Sequence, residues 1–93
     1  MNILRFYKHN KGYWSPIITE DNKYLLQKEQ YGKYRRWWNI FELDELVYKQ
    51  TGHKTWSTLM SPYFQDKEGA MKWVQEKFYP NHKIQKKLIK KED

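Results

Sequence analysis

Apolar and polar positions alternate along this chain in several short blocks, and only one long stretch repeats at helical spacing. Residues 3–7 form a strand-like run, followed by turn chemistry at Lys8-His9-Asn10-Lys11-Gly12, where Asn and Gly can adopt positive φ. Residues 13–19 read as a second strand, and Pro16 inside it predicts an edge position or a bulge, because proline has no N–H for a ladder. After the turn signal Glu20-Asp21-Asn22, residues 23–31 predict a third strand, Gly32-Lys33 a tight turn and residues 34–43 a fourth strand. In that fourth strand Tyr34, Arg36, Trp38 and Ile40 share one face, while Arg35, Trp37, Asn39 and Phe41 share the other. Neither face is purely apolar, so both are expected to be partly covered.

Asp44 is a good N-cap for a short helix over residues 45–51, and Gly52 a good stop. A strand is the alternative there, since Leu46-Val47-Tyr48 also suits a sheet. Residues 54–64 predict a further strand, ending at Pro62. The clearest element is a helix over residues 67–79, capped by Asp66 and stopped by Pro80. Ala70, Met71, Val74 and Phe78 make its apolar stripe, with Trp73 beside it. The expected fold is α+β: a small antiparallel sheet of three to five strands, with this main C-terminal helix packed on one face. The sheet's second face is expected to be partly exposed, basic and aromatic.

Residues 1–80 read as a single basic, aromatic-rich domain, and residues 81–93 as a basic C-terminal tail. Five lysines surround Ile84, Leu88 and Ile89 in the tail. Ordering so many residues costs at least ~1 kcal/mol each, which predicts a tail that is mobile or marginally helical.

Composition sharpens this picture. Leu, Ile, Val and Phe supply 19 of 93 residues, close to the ~20% below which charged chains tend to stay disordered. Five Trp and eight Tyr offset that shortage, so the core is expected to be built largely from rings. There is no cysteine, hence no disulfide and no thiolate metal site. No apolar run approaches a membrane span, and Met1-Asn2-Ile3-Leu4-Arg5 lacks a signal-peptide layout. These features predict a cytoplasmic protein with no membrane partner. The usage, rich in Lys and Tyr with one Ala and two Val, resembles small proteins of AT-rich genomes such as phages or mobile elements.

Candidate chemistry is sparse. His9, His53 and His82 are far apart in sequence, and no pair of residues has zinc-ligand spacing. Glu42, Asp44 and Glu45 could hold a cation but fit helix capping better. No nucleophile elbow or glycine-rich phosphate loop occurs. The chain is therefore read as a non-enzyme without metal or cofactor, with an enzyme of unknown chemistry as the remote alternative. Phe64-Gln65-Asp66-Lys67-Glu68-Gly69-Ala70 resembles the strand-to-helix passage of many small sheet-plus-helix domains, among them arm-site DNA-binding domains of tyrosine recombinases. That likeness spans about a quarter of the chain, reflects generic strand-to-helix physics, and assigns no family.

The net charge of +7 favours an anionic partner. Tyr34-Arg35-Arg36-Trp37-Trp38 is the most suggestive motif, since guanidinium forks bind phosphate and rings stack on bases. The bland alternative is that one Trp belongs to the core, covered by arginine stems. Lys11, Tyr13 and Trp14 extend the same interleaving of basic and aromatic residues. Two functions suit this composition. One is a nucleic-acid-binding accessory protein; the other is a protein-binding adaptor or inhibitor that docks on an acidic partner protein. The candidate site residues are the same for both.

Overall fold

Asn22 at φ 62° and Gly32 at φ 69° turn the chain back on itself, in a backbone region that Asn and Gly adopt most readily. The two turns separate β3 (Ile17–Thr19), β4 (Tyr24–Tyr31) and β5 (Arg35–Leu43), which form an antiparallel meander. The computed structural model describes residues 2–8, 15–33, 35–85 and 89–90. The N-terminal run is broken at Arg5 into β1 (Asn2–Leu4) and β2 (Phe6–Lys8). Arg5 gives its carbonyl to the Glu20 N–H at 2.9 Å. After β5 come α1 (Glu45–Thr51), β6 (Trp56–Thr58), α2 (Lys67–Phe78), β7 (His82–Ile84) and β8 (Ile89–Lys90).

The main sheet has the order β6-β5-β4-β3-β2-β8, and β1 pairs with β7 in a second, two-stranded sheet. From β2 to β6 all pairing is antiparallel, giving five antiparallel strands, within the three to five expected. The fold is α+β as expected.

The core lies between one face of this sheet and α2. Phe6, Ile17, Leu26, Trp38 and Ile40 point into it from the strands, and Ala70, Met71 and Val74 from the helix. Phe78, at the end of the stripe, is half-buried and stacks on Tyr24 with centroids 4.3 Å apart. Both helices start where their caps predict. The Asp44 carboxylate accepts from the Val47 N–H at 3.1 Å, and the Asp66 carboxylate from the Gly69 N–H at 2.9 Å. Gly52 closes α1 in the left-handed conformation at φ 75°. The segment around Leu46-Val47-Tyr48 is thus helix, not strand.

Four details depart from the sequence pattern. Pro16 lies neither on an edge nor within a strand: pairing of the interior strand β3 begins at Ile17, where an N–H is available. The strand expected over residues 54–64 is only β6; after the Leu59 N–H bonds to the Ile40 carbonyl, the chain leaves the sheet ahead of Pro62. The second sheet face carries Tyr7, Ile18, Leu25, Phe41, Gln27, Asn39, Glu29, Trp37 and Arg35, so it is aromatic as expected, but among these residues Arg35 is its one cation and Glu29 its one acid.

The fourth departure is the described part of the tail, residues 81–85 and 89–90; residues 86–88 and 91–93 lie outside the described residues. Where a mobile or marginally helical arm is expected from residue 81, β7 runs parallel to β1, pairing Asn2 with His82 and Leu4 with Ile84. The Gln85 N–H continues the ladder to the Leu4 carbonyl at 3.1 Å, and its side-chain amide bonds the Phe6 carbonyl. Gln75 on α2 donates to the carbonyls of Tyr79 and His82 at 3.1 and 2.9 Å. Ile84 packs against the core cluster. Sheet pairing with the N-terminal segment offsets the ordering cost that the lysine-rich sequence suggests.

Candidate functional site

The longest pairing in the molecule is β4 with β5, from Tyr24↔Glu42 at one end to Tyr31↔Arg35 at the other. Its neighbours stop short of the far end. Pairing to β3 ends at Ile17↔Leu26, pairing to β6 at Phe41↔Thr58, and a single bridge joins Trp38 to Phe64. Among the described residues, β4 and β5 therefore pair only with each other from Glu29↔Trp37 outward, forming a two-stranded ribbon.

Charge is sorted along the whole β4–β5 pair. The free ribbon carries Lys33, Arg35 and Arg36 against the single acid Glu29, and Lys28 stands one pair inside it. The near end of the pair gathers Glu42, Asp44 and Glu45 around Lys23, Tyr24 and Ser57, with Glu20 and Asp21 in the adjoining turn. Seven residues separate the two ends, about 23 Å at the rise of a strand. Lys28 and Arg36 line a shallow cleft of about 250 Å³ with Glu29 and Gln30. Partial burial, and then the Arg36 charge, lower the Lys28 ammonium from its ordinary pKa.

The two tryptophans of the motif have different fates. Trp38 is 2% exposed, one of the largest fully buried side chains, and its ring belongs to the core. This corrects the expectation that it could stack on a partner beside Arg36. Trp37, on the opposite face, is half-buried and meets Tyr63 with centroids 4.6 Å apart and planes tilted by 38°. Arg35 and Arg36 are exposed, on opposite faces of the strand. Tyr34, Lys11, Tyr13 and Trp14 lie outside the described residues.

Tyr63 is the residue that the sequence pattern hides, because it falls within a segment that reads as strand. It is 75% exposed, and its neighbour Met60 is 98% exposed. With Trp37, Asn39, Thr58, Leu59 and Ser61 they line an open cleft of about 330 Å³. The usable signal is Met60-Ser61-Pro62-Tyr63, where a proline breaks the strand and turns two large side chains outward.

A second cluster is structural. The Asp21 carboxylate accepts from the Tyr79 hydroxyl at 2.6 Å, the Thr19 hydroxyl at 2.7 Å and the Lys23 backbone N–H at 3.1 Å. Burial raises its pKa, but these three bonds and the Lys23 charge outweigh burial and hold it below the ordinary carboxylate value. Burial, and then the bond to Asp21, push the Tyr79 phenol above its ordinary value. The cluster ties the β3–β4 turn to the end of α2.

Among the described residues, no group of three or more His, Cys, Asp or Glu side chains could hold a metal ion. No helix among them is long and apolar enough to cross a membrane. Comparison with protein-family models, with curated proteins and with solved structures gives no match to this chain.

Proposed function

We propose that this protein is a nucleic-acid-binding accessory protein that contacts phosphates with the basic end of the β4–β5 ribbon. The observation that supports this is the sorting of charge: Lys33, Arg35 and Arg36 stand on the free ribbon with Lys28 one pair inside it, and the acids collect at the opposite end of the β4–β5 pair. A polyanion would be drawn to the first end and repelled from the second, so the charge pattern orients as well as attracts. Arg35 and Arg36 supply bidentate forks for phosphate oxygens, and Lys28 and Lys33 add point charge. A two-stranded ribbon is also narrow enough to follow a groove.

Titrating labelled duplex and single-stranded oligonucleotides at two salt concentrations tests this reading. Binding should weaken steeply as salt rises, because each neutralised phosphate releases condensed counterions. Docking on an acidic protein predicts instead no oligonucleotide binding at low salt. It also predicts stoichiometric recovery of one acidic protein from cells after nuclease treatment.

A further inference from the structure

Arg35, Trp37 and Asn39 alternate along β5 and therefore project from the same face, each about 7 Å from the next. Trp37 is backed by Tyr63, whose ring leans against it on one side while three-quarters of the residue stays exposed. Asn39, Thr58 and Ser61 bring polar groups to the same cleft, and Met60 extends fully into solvent at its rim. The line thus runs from guanidinium to aromatic platform to amide, on a single strand.

We propose that the Trp37–Tyr63 cleft takes one unpaired base of a single-stranded nucleic acid, stacked on the open face of Tyr63. This proposal rests on the nucleic-acid reading above and specifies the form of nucleic acid. Arg35 holds the phosphate of the same strand. The Asn39 amide, which both donates and accepts, faces the edge of the base. A base inside a duplex has both ring faces covered by its neighbours, so only an unstacked one can lie on Tyr63. The cleft volume of about 330 Å³ lies at the small end of ligand pockets and leaves room for a base. Stacking of this kind tolerates any base, so only a modest sequence preference follows.

The test measures fluorescence anisotropy of a labelled oligothymidylate and of a labelled hairpin duplex, with the full-length protein and two variants. Tyr63→Ala should weaken single-strand binding roughly 5- to 150-fold, the range of one lost base–aromatic stack, and leave duplex binding nearly unchanged. Tyr63→Phe, which keeps the ring, should bind as the unaltered protein does. Replacing the bases of the oligonucleotide with abasic sites should weaken binding to the unaltered protein and add nothing to the loss in Tyr63→Ala, a check that does not depend on how the variant folds. If single strand and duplex bind equally well, with no effect of Tyr63→Ala or of abasic sites, the base site is overturned while the ribbon reading stands. If the unaltered protein binds no oligonucleotide at low salt, both are overturned.

Discussion

The backbone N–H of Trp38 donates to the carbonyl of Phe64 at 2.7 Å, and this bond fixes the chain that follows β6 against the middle of β5. Phe64 packs on the core cluster and leans on Trp73 at 6.3 Å between centroids. One residue earlier, Tyr63 is set outward against Trp37. The candidate cleft thus depends on a contact between a central strand and the residue that leads into α2.

Gly69 lies close to that contact. A methyl group there would come within 3.0 Å of the capping Asp66 oxygen and 3.2 Å of the Phe64 ring. Helix propensity alone makes Gly69→Ala stabilising by up to about 1 kcal/mol. The crowding should cancel that gain and disturb the cap, so Gly69→Ala is expected to lower the urea unfolding midpoint. A clear increase would mean that Phe64 yields easily.

The contrast between Asp44 and Tyr63 shows which features were legible in the sequence. Asp44, Gly52, Asp66 and Gly32 act through their own neighbours, so caps and turns follow from local chemistry. The alternation of β5 likewise reveals which residues share a face. Which face is core is decided by α2 covering Trp38, and the sequence has no local signal for that. Tyr63 and β7 were hidden for the same reason: the partners that define them, Trp37 and β1, are distant in the chain.

The tail gives a second prediction. Removing residues 81–93 deletes the pairing of β7 with β1, the Gln85 bonds and the Ile84 packing. Each backbone bond contributes about 1 kcal/mol net, and for a domain of this size each kcal/mol moves Tm by roughly 4–8 °C. The truncated protein should melt at least about 5 °C lower by circular dichroism. An unchanged Tm would mean that the C-terminal segment adds nothing to the fold.

Acid should act through Asp21. Its pKa is lowered in the folded state, so its contribution is present above the unfolded carboxyl value of about 3.9 and is lost as pH falls through the folded value. Denaturant midpoints measured from neutral pH down to below pH ~4 should fall for the unaltered protein. The fall should be shallower for Asp21→Asn, which cannot titrate. Identical acid limbs would remove Asp21 from the account of stability.

Under the proposed function, the basic end of the ribbon, rather than net charge spread over the surface, binds nucleic acid. The most direct measurement is the salt dependence of oligonucleotide affinity for Arg35→Ala/Arg36→Ala, set against Lys49→Ala/Lys54→Ala, which removes the same charge in and after α1. Two lost phosphate contacts should reduce the slope of log K against log salt by about 1.4–1.8 in the arginine variant, while the lysine variant keeps the unaltered slope. Equal reductions in both variants would contradict the claim and leave only unspecific attraction by a basic protein.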